Sequence, residues 1–220
     1  MSTIVLACSS LKEYIKAAME TQNVNYDIIL IDRSFHIEPA KMKREIQNTL
    51  SKLPTNIDTV LVAMGFCGGT WDNVTFPFRI VIPRVDDCIS MLLQTDDQYI
   101  PNRKETGHLY IYEQNPTDFS AFSLSPNDMQ NEFPGFSKEM LFQMYFGQYY
   151  FLDIIDTGIN DCYTEEYATE AQAIADKTGT SLDYVSGSNR ILEKLLTGRW
   201  DKQFLVAEPG HRIRHADFFE

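Results

Sequence analysis

The sequence predicts a single α/β domain of three layers, in which a doubly wound, mainly parallel sheet carries helices on both faces. In the first half, short apolar runs alternate with segments of helical periodicity. Several of these runs are apolar almost throughout, which is typical of parallel strands buried on both faces. A chain of 220 residues with 44% hydrophobic content suits one such domain better than two. We therefore expect one domain over residues 1–220, with an aromatic-rich insertion.

The first two strands and helices follow a regular alternation. Residues 4–7 predict the first strand, and the helical spacing of apolar side chains in residues 11–24 predicts the first helix. Residues 26–32 predict the second strand, and Pro39 suits the first turn of the helix after it. The runs at residues 59–66 and 79–85 predict strands three and four.

The second half is less regular. Residues 96–134 mix short aromatic runs with turn-forming residues, which indicates a hairpin-like insertion or a lid. A helix is predicted from Ser137, its cap, to about Asp153. The remaining pattern predicts a helix over residues 164–177, a strand over 182–185, a helix over 189–196 and a last strand over 203–207.

Composition excludes several classes of function. The formal net charge of −12 disfavours a surface that neutralises phosphate backbones, so nucleic acid is not an expected partner. No apolar stretch reaches the roughly 20 residues that a membrane helix needs. The N-terminus has no basic segment of a signal peptide, and the four cysteines are not closely paired. We expect a soluble, cytoplasmic protein with reduced thiols.

Three cysteines follow predicted strands at the point where each strand ends. Cys8 follows the first strand, Cys67 the third and Cys88 the fourth. In a sheet of order 2-1-3-4 these strands are neighbours about 4.8 Å apart, and ligands bind beyond their carboxyl ends. The three thiols are therefore expected to converge, with His36, which follows the second strand, as a fourth ligand or a proton relay. Cys162 lacks this placement and is interpreted as structural or incidental.

Each of these residues also has an ordinary structural explanation. Free cysteine is among the most buried residue types, and a lone histidine often lies at a helix entry or on the surface. A role in binding a ligand beside the thiols is predicted for Gly68, Gly69, Arg84 and Asp87. The aspartate is equally suited to cap a helix. The chain contains no Walker P-loop, G-x-S-x-G, H-E-x-x-H or C-x-x-C motif, which weakens the common enzyme classes.

Several motifs are spread over nearly the whole chain: an early cysteine (Cys8), the histidine and proline at 36 and 39, G-x-C-G at 65–68, I-P-R-x-x-D-C-I at 82–89 and the closing L-L-x-G-x-W-D…P-G between 195 and 210. Together they resemble a bacterial and archaeal domain-of-unknown-function family. Members of this family are often encoded near corrinoid-dependent methyltransferases. The resemblance implies an accessory role in methyl transfer or one-carbon metabolism, with a protein of a methyltransferase system or a small molecule as partner.

The leading hypothesis is a thiolate metal-binding protein with Cys8, Cys67, Cys88 and His36 as ligands. Zinc or iron fits such a set, and a corrinoid is a less favoured cofactor. Two alternatives stay open. One is a metal-free enzyme in which Cys88, activated at a helix start, attacks a small anionic substrate. The other is a small-molecule binding module that uses the same crevice. The pattern predicts no oligomeric state.

Overall fold

The computed structural model describes residues 2–119 and 133–220, and its contacts divide the chain into two compact units. The first unit comprises Met1–Arg103 and Ser188–Glu220, and the second comprises Lys104–Gly187. The predicted α/β class and the mainly parallel sheet are confirmed. A single domain over residues 1–220 stays a prediction, because a division by contacts does not measure which part folds alone.

The described residues form eight strands and seven α-helices. The strands are β1 (Ser2–Cys8), β2 (Asp27–Ile31), β3 (Ile57–Ala63), β4 (Arg79–Pro83), β5 (His108–Ile111), β6 (Phe151–Asp156), β7 (Ser181–Ser186) and β8 (Phe204–Ala207). The helices are α1 (Lys12–Gln22), α2 (Pro39–Ser51), α3 (Cys88–Leu92), α4 (Lys138–Phe146), α5 (Glu165–Thr178), α6 (Arg190–Leu196) and α7 (Ala216–Phe219). Short 3₁₀ helices span Ser9–Leu11, Arg33–Ile37 and Pro116–Asp118.

The sheet of the first unit has the strand order β2-β1-β3-β4-β8. The first four strands are parallel, which confirms the predicted order 2-1-3-4, and β8 pairs antiparallel to β4. The connections from β1 to β2 and from β2 to β3 run in opposite directions across the sheet, so the right-handed rule for crossovers predicts α1 and α2 on opposite faces. Val5, Leu6 and Ala7 of β1 are fully buried, so both faces are covered at the centre of the sheet.

The second unit has its own sheet, in which β5, β6 and β7 are all parallel. This second sheet was not predicted, and its strand β5, which lies within the predicted insertion, pairs parallel to β6. Part of the predicted insertion, residues 120–132, lies outside the described residues. The helix predicted from Ser137 to about Asp153 ends at Phe146 instead, because Phe151–Asp156 pairs with strands on both sides.

Among the helices that the structure describes, none combines the length and the hydropathy that crossing a membrane requires.

Candidate metal centre

Three potential ligands meet where the parallel strands of the first unit end. Cys8 is the last residue of β1, His36 lies in the 3₁₀ helix after β2, and Cys88 is the first residue of α3 after β4. Their ligand atoms, two thiol sulfurs and one imidazole nitrogen, all lie within 4.8 Å of one another. This cluster, called the Cys8–His36–Cys88 cluster below, comes from three separate loops and depends on the sheet for its geometry.

Cys67 lies beside this cluster but is not one of its three members. It is near enough to raise the pKa of the Cys88 thiol. Its backbone φ is +49°, a left-handed conformation that costs a non-glycine residue about 1–2 kcal/mol. The Cys67 amide donates to the carbonyl oxygen of Asp86 at 2.7 Å, and its own carbonyl accepts from the Thr70 hydroxyl at 2.8 Å. These bonds hold the strained backbone in place.

Two loops approach each other closely and bring together the segments that carry Cys67 and Cys88. Gly65 follows β3, and a Cβ atom at this position would lie 2.6 Å from the Cα atom of Asp87. Only glycine lets the backbones of the two loops come so close without displacement. The close approach was not predicted, although Gly65 in the G-F-C-G segment was a signal for it.

A serine hydroxyl orients the thiol of Cys8. The Ser10 Oγ atom lies 3.0 Å from the Cys8 Sγ atom, and a thiolate at Cys8 would accept this hydrogen bond. Cys8 is fully buried, so the Ser10 hydroxyl takes the part that water plays for an exposed thiol. The C-S-S run at residues 8–10 was the signal for a serine hydroxyl beside the Cys8 thiol, and this contact was not predicted.

The ring of His36 is also held in one orientation. Its Nδ1 atom lies 2.9 Å from the carbonyl oxygen of Arg33, and a carbonyl oxygen can only accept a hydrogen bond. Nδ1 therefore carries the proton in the neutral ring, which leaves the lone pair of Nε2 for a metal. The amide of Arg33 in turn donates to the Ser9 hydroxyl at 3.0 Å, which ties the segment that carries His36 to the end of β1.

Hydrogen bonding and burial raise the pKa of two of the thiols. For Cys8 the hydrogen bond with Cys88 is the main cause, and burial adds to it. For Cys88 the hydrogen bond with Cys67 is the main cause, and burial again raises its pKa. The helix start was expected to favour a thiolate at Cys88, whereas Cys67 and burial raise the pKa of its thiol and Cys8 lowers it.

The residues predicted to bind a ligand beside the thiols make scaffold contacts. The Asp87 carboxylate caps α3 by accepting from the Ser90 amide at 2.8 Å, the alternative role named for it. The Arg84 guanidinium donates to the carbonyl oxygen of Asp217 at 2.7 Å and stacks over the Tyr99 ring at 4.1 Å. A binding role for Arg84 and Asp87 stays a prediction.

The two glycines after Cys67 adopt left-handed conformations, with φ of +65° at Gly68 and +92° at Gly69. A Cβ atom at Gly68 would lie 3.0 Å from Pro39, so this loop packs against the first turn of α2. Their predicted role in ligand binding is likewise untested by these contacts.

The family of the chain follows from comparison with known proteins. A family model described as "Protein of unknown function (DUF1638)" matches residues 30–196. The chain belongs to the DUF1638 family. No curated protein and no solved structure matches it. The resemblance to a family of unknown function is thereby confirmed, and the matched range contains His36, Cys67 and Cys88 of this DUF1638 protein, while Cys8 precedes it.

The closing motif of this DUF1638 protein contributes to a polar network around a buried lysine. Lys194 is 6% exposed, and its Nζ atom donates to Asp97 at 2.9 Å, to Asp201 at 2.5 Å and to Gln203 at 2.9 Å. A buried ammonium group needs such partners to offset its lost hydration. The W-D segment therefore contributes to stability, because the Asp201 carboxylate accepts a hydrogen bond from the buried Lys194 ammonium group.

The second unit of this DUF1638 protein holds the remaining cysteine. Cys162 is 1% exposed and packs in an apolar core with Ile111, Leu152 and Tyr167. Burial is the main reason that its pKa is raised. These contacts agree with the structural role predicted for it.

Proposed function

We propose that this DUF1638 protein binds one metal ion through Cys8, His36 and Cys88, with Cys67 as the fourth ligand. The observation that carries the proposal is the mutual approach of the three ligand atoms to within 4.8 Å. In a tetrahedral zinc site with Zn–S near 2.3 Å and Zn–N near 2.0 Å, ligand atoms lie roughly 3.5–3.8 Å apart. Small side-chain rotations would bring the cluster to that spacing.

The bonds around the cluster support this interpretation. A histidine that binds a metal through Nε2 characteristically donates its Nδ1 proton to a backbone carbonyl or a carboxylate, as His36 does to Arg33. Thiolate and imidazole ligands favour zinc or iron over hard cations such as Mg²⁺ or Ca²⁺. A Cys₂His set with one further position is known for both structural and catalytic zinc.

The metal-free cysteine enzyme is the weaker candidate. A cysteine nucleophile acts as a thiolate and is activated by a lowered pKa. Here the pKa of Cys88 is raised, and its side chain is only 4% exposed. Nor do the contacts of Arg84 favour a small anionic substrate, since its guanidinium already donates to the carbonyls of Asp217 and Lys202. A small-molecule binding module has no supporting contact among the described residues beyond the same crevice.

We further propose a cytoplasmic, accessory role in corrinoid-dependent methyl transfer or one-carbon metabolism. This part rests on the family resemblance, and its partner would be a methyltransferase-system protein or a small molecule. A direct corrinoid contact would bring a cluster thiolate to the cobalt, and the visible spectrum of hydroxocobalamin would then shift on addition of the protein. An unchanged spectrum would remove the corrinoid as a direct ligand while leaving the metal proposal intact.

Elemental analysis of protein purified without oxygen tests the metal proposal. We expect about one zinc or iron per chain in the unaltered protein, and its loss in the variants Cys8→Ser and Cys88→Ser. Cys162→Ser is the matched control, because this buried cysteine lies in the core of the second unit. Absence of metal from the unaltered protein after expression in metal-supplemented medium would overturn the proposal.

A further inference from the structure

The closing motif of the chain forms one wall of a cavity in the first unit. Leu196, Gly198 and Trp200 of this motif line a cavity of about 460 Å³. Its other walls come from strands of the sheet and from the segment between α1 and β2. A cavity of this size suits a small organic molecule. Neither the proposed metal centre nor the network around Lys194 accounts for it.

Polar side chains form a row across three strands that line this cavity. Thr3 of β1 is level with Thr59 of β3, and Thr59 is level with Arg79 of β4. Side chains at one level of adjacent parallel strands point to the same face of the sheet, and all three residues line the cavity. Thr3 precedes Cys8 by five residues, which is roughly 16 Å along a strand. The row is therefore separate from the Cys8–His36–Cys88 cluster.

The Thr59 hydroxyl is the strongest sign that the cavity takes a ligand. Thr59 is 6% exposed, and its hydroxyl forms no hydrogen bond with any of the residues that the structure describes. Burying a hydroxyl without a partner is unfavourable, and buried polar groups are nearly always hydrogen-bonded. Because Thr59 lines the cavity, a molecule inside it can supply the partner.

Arg79 adds a positive charge in a fixed orientation. Its Nε and Nη2 atoms donate to the Glu208 carboxylate at 3.0 and 3.1 Å, which fixes the plane of the guanidinium group. Within the part of the chain that the structure describes, the Nη1 atom forms no hydrogen bond, so it is left for a ligand. The side chain of Glu208 is 60% exposed, and water therefore screens its repulsion of a second anion.

Apolar groups complete the lining of the cavity. Leu61 and Leu196 are buried side chains of this lining. The indole N–H of Trp200 donates to the carbonyl oxygen of Leu195 at 2.8 Å, so the indole offers only its apolar ring to the cavity. Trp200 is half-buried and Gly198 is exposed, which leaves the cavity open to solvent on this side. An aromatic ring is the group that packs best against an indole.

We propose that this cavity binds a small aromatic carboxylate. Its carboxylate would accept hydrogen bonds from the hydroxyls of Thr3 and Thr59 and from the guanidinium group of Arg79, and its ring would pack against Trp200. Hydrogen bonds from a guanidinium group to a carboxylate are among the stronger ones in proteins. The inference uses none of the cluster residues and does not depend on the proposed metal-binding function.

Saturation-transfer difference NMR on the full chain tests the proposal, with benzoate, phenylacetate and 3-phenylpropanoate as probes. A chelator in the buffer prevents a metal ion from binding the carboxylates. We expect at least one probe to bind saturably with a Kd of about 1 mM or below. The neutral amide of that probe should bind at least about tenfold more weakly, because it lacks the charge that Arg79 recognises.

Variants of Thr59 place the binding in this cavity. Thr59→Val exchanges the hydroxyl for a methyl group, and we expect the probe to bind at least about tenfold more weakly. The urea midpoint of this variant should stay unchanged or rise, because the hydroxyl has no partner in the protein to lose. Thr59→Ser keeps a hydroxyl and should bind the probe within about threefold of the unaltered protein. Thr169→Val is the control, because its hydroxyl donates to the Glu165 carbonyl within α5.

Several outcomes would overturn the proposal. If none of the three probes binds saturably below about 20 mM, the cavity does not take an aromatic carboxylate. If the amide binds as tightly as the acid, a carboxylate is not what the cavity recognises. If Thr59→Val is folded by circular dichroism and binds the probe as tightly as the unaltered protein, the probe binds elsewhere. A clear loss of stability in Thr59→Val would show that the hydroxyl serves the fold instead of a ligand.

Discussion

The Nδ1 atom of His36 donates a hydrogen bond to the carbonyl oxygen of Arg33, 2.9 Å away. This bond fixes both the tautomer and the plane of the ring. Because the Arg33 amide itself donates to the Ser9 hydroxyl, the ring is anchored through the backbone of Arg33 to the residue that follows Cys8. Two of the candidate ligands are thereby coupled before a metal arrives.

Replacing His36 should weaken metal binding strongly. The variant His36→Ala removes the nitrogen donor. We expect zinc affinity to fall on the order of 100-fold, because the loss of a residue that only hydrogen-bonds to a metal ligand already costs about 10- to 100-fold. Competition with a coloured zinc chelator measures it. His211→Ala is the matched control, because the exposed His211 pairs with the carboxylate of Asp217 instead. Equal affinities in the two variants would contradict His36 as a ligand.

Ser10 should tune the centre through Cys8. Loss of the hydroxyl in Ser10→Ala leaves the buried Cys8 thiolate without this donor, and we expect zinc affinity to fall about tenfold. Ser10→Thr keeps a hydroxyl at the same position and should restore most of the affinity. The same competition assay measures both variants. If Ser10→Ala binds zinc as tightly as the unaltered protein, the Ser10 hydroxyl does not support the Cys8 thiolate.

The contact at Gly65 should be intolerant of even one methyl group. In Gly65→Ala the new Cβ atom would meet the Asp87 backbone at 2.6 Å, so the loops after β3 and β4 must separate. We expect the free energy of unfolding to fall by about 1–3 kcal/mol, as for other overpacked sites. Urea unfolding of the metal-free protein measures it. Gly135→Ala, where a Cβ atom would meet nothing within 4 Å, should be near neutral.

The metal-free protein should lose stability at alkaline pH. The pKa of Cys8 and Cys88 lies above its ordinary value of 9.0 in the folded state, so the folded protein holds protons that the unfolded chain releases. The resulting stabilisation is complete below about pH 9 and is lost as pH rises beyond it. Urea midpoints between about pH 8 and pH 10, measured with a chelator and a reductant, should therefore decrease.

The double variant Cys8→Ala with Cys88→Ala separates this contribution from that of other groups. The urea midpoints of this variant should decrease less steeply over the same pH range. The remaining decrease comes from other groups whose pKa is raised in the folded state, such as Cys162. If the two proteins show the same slope, the clustered thiols do not hold their protons as described.

The sequence contained enough information to place three strand ends side by side. Apolar runs without alternation predicted buried parallel strands, and the order of the first unit followed from that pattern. The convergence of Cys8, His36 and Cys88 is a consequence of that order. What a pattern does not contain is the shape of the loops. The strained φ of Cys67 and the hydrogen bond between Ser10 and Cys8 depend on local turns that periodicity does not describe.

The sheet of the second unit could not be predicted from the sequence pattern, for a different reason. Residues 151–156 follow an aromatic helical segment without a strong break, and their strand conformation depends on pairing with β5 and β7. Strand formation of this kind is decided by tertiary neighbours more than by local preference. The helix was therefore predicted several residues too long.

The arrangement of donors on separate parallel strands has a consequence for how the protein folds. Cys8 and Cys88 are far apart along the chain, and their sulfurs meet only when β1, β3 and β4 have paired. Parallel pairing of distant segments is slow, because loop closure must precede the contacts that reward it. An unfolded chain therefore offers no preformed site, and a metal that binds only the folded form shifts the equilibrium toward it by mass action. Metal capture would then be the last step of folding and would act as a check that the sheet has assembled in the correct order.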